Sequence, residues 1–123
     1  MFTKAYNGII TMTRGDNVSI PFFINAGTEI APLRYVLKDN DIVYFGLCEP
    51  NQPFENAVVR KMYTKDNRKL AHNGDLLIIF DSKDTEYLED GLYYYTIKLE
   101  TVQEDGSQVI QTLVPKAKFF IED

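Results

Sequence analysis

The feature that most limits how this chain can fold is the run from Asp84 to Leu99, where a polar corner leads directly into a segment of strict two-residue periodicity. Tyr93, Tyr95, Ile97 and Leu99 fall on one face, while Tyr94, Thr96, Lys98 and Glu100 fall on the other. Successive side chains of a β-strand point to opposite sides, so this alternation describes a strand that covers a core on one side and meets water on the other. A single strand cannot bury its apolar face alone, so the rest of the chain must supply partners.

Short apolar runs separated by turn residues do recur along the chain, and no window holds a helical period of useful length. Strands are predicted over residues 9–13, 18–24, 33–37, 42–48, 57–64, 76–80, 92–101 and 108–114, with a short last segment over 116–121. Pro21 cannot donate to a ladder, which makes its strand an edge or a bulged one. The five residues 76–80 are apolar on both faces, so they form a central strand or one that something else covers. Capping side chains at Asp81, Ser82, Asp84 and Thr85 predict a short helical turn between 81 and 89. Asp105-Gly106 marks a hairpin before the 108–114 strand.

The start of the alternating strand carries a second signal. Asp90-Gly91-Leu92-Tyr93 resembles the tyrosine corner of immunoglobulin-like sandwiches, in which a tyrosine at the start of a late strand bonds its hydroxyl back to the preceding loop. Asp90, Gly91 and Tyr93 are therefore assigned to a structural corner. Two residues further on, where an antibody domain has its second cysteine, stands Tyr95. The expected fold is all-β: an immunoglobulin-like Greek-key β-sandwich of seven to nine antiparallel strands, with a barrel as the alternative that periodicity leaves open.

With 123 residues and 45% hydrophobic content, the chain fits one domain, taken as 1–123, that can bury a core without disulfides or metals. Cys48 is the single cysteine and His72 the single histidine, so an internal bridge cannot form, and neither a zinc site nor a histidine-based dyad is expected. Cys48 ends an apolar run and reads as a packed thiol. The carboxylates near Asp81, Asp84 and Asp90 lack the spacing of a calcium loop and read as solvated turn residues. Arg14-Gly15-Asp16 matches an integrin-binding tripeptide but is explained by turn chemistry. With no phosphate loop, nucleophile elbow or paired-histidine motif, no enzymatic activity and no cofactor are expected.

A net charge of −5 opposes binding to nucleic acid, which calls for a basic face. No run approaches the roughly twenty apolar residues of a membrane span, and the first residues lack a signal-peptide core, so folding in a cytoplasm without membrane insertion is expected. Three surface features are candidate contacts: the doubly apolar strand with Leu77 and Ile79, the outward Tyr94, and one basic stretch of Lys65, Arg68 and Lys69 with Arg60 and Lys61. That stretch contrasts with the acidic residues between Asp81 and Asp105, an opposition suited to head-to-tail or partner contacts.

Three segments carry a resemblance. They are Ile10 to Ile20, with its Gly15-Asp16 turn; Tyr35 to Phe45, with Leu37, Asp39 and Ile42-Val43-Tyr44-Phe45; and Asp84-Thr85, Leu88, Gly91, Tyr93, Tyr95, Ile97 and Leu99. Together they resemble small β-sandwich structural proteins of tailed bacteriophages and prophages, typified by the N-terminal domain of phage baseplate upper proteins. That resemblance implies a non-enzymatic virion component of baseplate, tail, neck or capsid surface, assembled in a bacterial cytoplasm, contacting other virion proteins and forming a homo-oligomer. It brings no functional residues. A carbohydrate- or ligand-binding sandwich is the alternative, since tyrosine-rich sheet faces can stack sugars.

Overall fold

A computed structural model describes residues 8–28 and 30–123. Among these residues there are seven strands: β1 (Ile10–Thr13), β2 (Val18–Phe22), β3 (Ile42–Cys48), β4 (Val59–Tyr63), β5 (Leu76–Phe80), β6 (Gly91–Val102) and β7 (Gln108–Glu122). One short helix, α1 (Ser82–Thr85), lies between β5 and β6, and a 3-10 turn, Phe54–Asn56, lies between β3 and β4. Five strands form one sheet in the order β1-β7-β6-β3-β4, and β2 pairs with β5 in a second. The apolar residues of both inner faces meet between them, which makes this an immunoglobulin-like β-sandwich.

The alternation along β6 translates directly into burial. Tyr93, Tyr95, Ile97 and Leu99 are buried, and the residues between them are not. Tyr95 lies at the centre, its ring 5.9 Å from Phe22 of the opposite sheet, 6.0 Å from Phe45 and 6.1 Å from Phe119. Phe80 extends the cluster, with centroids 5.5 Å from both Phe45 and Phe119. Edge-to-face and offset pairs of this kind each contribute about 0.5–1.5 kcal/mol beyond the area they bury. An aromatic contact, Phe22 to Tyr95, thus joins the two sheets where antibody domains use a disulfide. The buried Tyr95 hydroxyl is satisfied by donating to the Gly8 carbonyl at 2.7 Å.

Four expectations change. The strand expected over 33–37 does not form: only Arg34 bridges, to Asn25. Its place is taken by a loop organised around the Asn25 side chain, whose Oδ1 accepts from the amides of Gly27 at 2.8 Å and Leu33 at 3.0 Å. The two segments expected over 108–121 are one strand, because bulges absorb the break at Pro115. Those bulges turn the consecutive residues Leu113 and Val114 both inward.

Nor is every pairing antiparallel. β1 runs parallel to β7, from Ile10 opposite Phe119 to Thr13 opposite Glu122, because the Gly15 turn carries the chain across to the other sheet instead of back along the same one. Finally, of the two readings left open for β5, a central strand or one that something else covers, the first does not hold, since β5 belongs to a two-stranded sheet. One edge pairs with β2; on the other, the Leu77 amide donates to the Lys69 carbonyl and the Ile79 amide to the Tyr63 hydroxyl, each at 3.0 Å. Since Leu77 points its amide away from β2, its cross-strand partner Pro21 is in a non-bonded pair, where a missing N–H costs the ladder nothing.

Candidate docking face

The outer face of the five-stranded sheet gathers cations and aromatic rings. β6 contributes Tyr94, Thr96 and Lys98, β7 contributes Lys116 and Lys118, β3 contributes Tyr44 and Gly46, and β4 contributes Arg60 and Met62. Residues 49–58 leave β3 and fold back across this face. Asn56 and Ala57 donate their amides to the carbonyls of Pro53 and Phe54, closing the 3-10 turn that projects the Phe54 ring over Gly46. A Cβ at position 46 would lie 2.4 Å from a Phe54 ring carbon, so the glycine is what lets the ring rest on the strand.

Two aromatic rings here carry a cation each. The Lys98 ammonium is 4.5 Å from the Phe54 centroid, and the Lys116 ammonium is 4.8 Å from that of Tyr94. Such contacts are worth about 0.5–1 kcal/mol at exposed sites. Phe54 forms a ridge between two open grooves. One, about 370 Å³, is bordered by Tyr44, Arg60 and Met62; the other, about 400 Å³, is bordered by Tyr94, Thr96, Lys98 and Lys116. Met62 is 53% exposed, so the first groove has an apolar lip.

The charge of this face opposes that of the chain. Arg60, Lys98, Lys116 and Lys118 make no ion pair with any described residue; the pairs that form are Arg14–Asp123, Arg34–Asp75, Lys61–Asp84 and Lys65–Asp39. The face also holds carboxylates: Glu122 at the end of β7, Glu55 beside the first groove, and Glu100, which accepts from the Tyr44 hydroxyl at 3.2 Å. Burial and the nearby Glu100 charge push the Tyr44 phenol above its ordinary pKa. Cys48 lines the second groove with its thiol turned to the Pro53 carbonyl, and burial raises its pKa too. A thiol held protonated is a poor nucleophile.

The sequence candidates are dispersed. Tyr94 belongs to this face, under Lys116. Leu77 and Ile79 are half-buried on the outer side of the other sheet, opposite Pro21 and Ser19. Lys65 sits in the loop after β4, 4.0 Å from Asp39, whereas Arg68 donates to the Lys38 and Leu37 carbonyls and so fastens the β2–β3 loop. The basic stretch is therefore not one patch: Arg60 faces outward, and Lys61 turns to Asp84. In the corner, the Tyr93 hydroxyl donates to the Glu89 carbonyl at 2.7 Å, and Gly91 has φ 137°, a backbone geometry that favours glycine.

A smaller cavity, about 140 Å³, lies between the β2–β3 loop and the start of β5, walled by Phe22, Ile24, Leu37 and Leu76. Its two arginines are committed, Arg34 to Asp75 and Arg68 to carbonyls. Sequence reasoning overlooked Phe54 and the role of Lys98, Lys116 and Lys118. A glycine inside the apolar run of β3 was the available signal for Phe54, since such a glycine marks close approach by another group. No group of three or more His, Cys, Asp or Glu suited to a metal ion occurs among the described residues.

Neither a family model nor a curated protein matches this chain. Among solved structures, it is similar to murine CRIg, with a TM-score of 0.50 at 15% identity, covering 100% of this chain and 98% of that one. At that identity the likeness concerns the fold alone.

Proposed function

We propose that this chain is a non-enzymatic assembly module of a bacteriophage or prophage particle, docking through the outer face of its five-stranded sheet. The observation that carries the docking role is the co-location of unpaired cations, exposed apolar groups and two grooves on a single sheet face of an acidic chain. Interfaces favour aromatic, methionine and arginine side chains, and this face offers Phe54, Tyr94, Met62 and Arg60. The particle assignment is supported by the three-segment resemblance to phage β-sandwich proteins.

The carbohydrate-binding alternative is weakened by the same geometry. A sugar stacks on an open ring face, and the Phe54 and Tyr94 rings already carry the ammonium groups of Lys98 and Lys116. An enzyme would need a nucleophile and base brought together, yet Cys48 is buried against a backbone carbonyl and His72 is exposed in a loop.

Mass spectrometry of purified particles from the host carrying this gene tests the reading. The wild-type chain is expected in the particles, and the Lys98→Glu/Lys116→Glu variant is expected to be depleted from them. Consistent absence of the wild-type chain would overturn it.

A further inference from the structure

The corner between β5 and β6 is the chemical complement of the docking face. Tyr87 is 89% exposed, the most exposed aromatic ring among the described residues, and Glu86, Glu89 and Asp90 around it are exposed as well. A single exposed ring is ordinary on a protein surface, but a tyrosine ringed by carboxylates has the make-up of an interface anchor.

The knob is held rigidly. Asp81 caps α1, its side chain accepting from the Lys83 amide, while Asp84 reaches back to the Asp81 amide at 2.8 Å. Thr85, wholly buried, accepts from the Gly15 amide at 2.8 Å, and Arg14 donates to the Leu88 carbonyl at 3.2 Å. The Ser82 amide donates to Asn17 at 2.9 Å. The β1–β2 turn and the cap of α1 therefore fix the backbone on both sides of Tyr87, so presenting its ring carries little further ordering cost.

The basic face has the opposite form: grooves beside Phe54, edged by Arg60, Lys98 and Lys116, with Lys118 alongside. The knob stands at one end of the sandwich and the grooves on a sheet face, and the near-complete exposure of Tyr87 means that it does not reach them within its own chain. We infer that the β5–β6 corner of one copy docks into the outer face of a second, with Tyr87 seated beside Phe54 and its flanking carboxylates on the unpaired cations. Because the two surfaces differ, the contact is head-to-tail, and it closes into a ring or extends according to the rotation between copies. This rests on the docking role proposed above and names the occupant of that face.

Solution mass by light scattering, over a concentration series at low and high salt, tests it. The wild type should exceed 14.2 kDa at low salt in a concentration-dependent way and fall towards it as salt screens the charges. Lys98→Glu/Lys116→Glu and Glu86→Lys/Glu89→Lys should each weaken self-association by about tenfold or more, since like charges then face each other. Mixing these two variants should restore assembly, because each keeps the surface the other has lost. Tyr87→Ser should weaken assembly without reversing any charge. All these side chains lie at the surface, and unchanged unfolding midpoints verify that the variants fold. A wild type that stays monomeric throughout, or variants that assemble like it, overturn the inference. Particle incorporation is scored separately: if the chain enters particles but remains monomeric alone, the docking role stands and the second-copy occupant falls.

Discussion

The two faces of the five-stranded sheet are made from the same residue types and put them to opposite uses. Inside, Tyr93 and Tyr95 are buried, with their hydroxyls donating to the carbonyls of Glu89 and Gly8. Outside, Tyr94, the residue between them, lies under a lysine ammonium and borders an open groove. What differs is which atoms are satisfied. The inward Tyr95 ring meets other rings, and both inward hydroxyls meet the backbone, leaving nothing for a partner. The outward ring has one face under Lys116, but its edge borders an open groove and that lysine has no ion pair with a described residue, so both retain capacity for contact. An aromatic residue is therefore evidence of docking only where its surroundings leave it unfinished.

The comparison breaks most visibly at Tyr95. Replacing it with alanine leaves a cavity at the centre of the aromatic cluster and should cost about 3–5 kcal/mol, read as a lower denaturant midpoint. Gly46→Ala probes the boundary between the faces: the added methyl must displace Phe54, at a cost of about 1–3 kcal/mol, together with loss of the Lys98 contact. Tyr93→Phe removes one hydroxyl while keeping the ring, and should cost about 1 kcal/mol in the same assay. Tyr94→Ala should change stability by only about 0.5 kcal/mol, as surface substitutions do, while weakening assembly. A loss at Tyr94 comparable to that at Tyr95 would mean that the outer face is structural.

Alkaline pH sharpens the same contrast. Burial raises the phenol pKa of Tyr35, Tyr63 and Tyr93, in Tyr35 with help from the hydrogen bond to Asp41. A group whose pKa is higher folded than unfolded holds its proton better in the native state. Its stabilising effect is complete below the unfolded value, about 10 for tyrosine, and is lost as pH rises above that. Denaturant midpoints should therefore be level approaching pH 10 and fall beyond it, with a shallower fall in Tyr35→Phe.

Much of this fold can be read in the sequence because burial follows a period of two. The inward and outward sets of β6 and the corner at Gly91 and Tyr93 need only local pattern to be seen. The segment 33–37 misleads for a physical reason: Leu33 and Val36 are exposed, and its pairing with residues 24–26 stops after two backbone hydrogen bonds, the Asn25 side chain holding the rest of the loop. Pro115 misleads in the other direction, since a bulge lets the strand continue past it. The docking face was only partly visible. The outward position of Tyr94 and Lys98 follows from alternation, but the loop that lays Phe54 on Gly46 is a tertiary contact that spacing cannot encode. Lys65 and Arg68, neighbours of Arg60 in sequence, are separated from it by the turn after β4.

The most direct test of the central claim is an amide chemical-shift map over a dilution series of the isotope-labelled protein at low salt. Concentration-dependent shifts should fall on two surfaces together, around Phe54, Tyr94, Lys98 and Lys116 on one side and around Glu86 to Asp90 on the other. Shifts confined to Ser19, Leu77 and Ile79 on the outer side of the two-stranded sheet, or a spectrum that does not change with concentration, would contradict it.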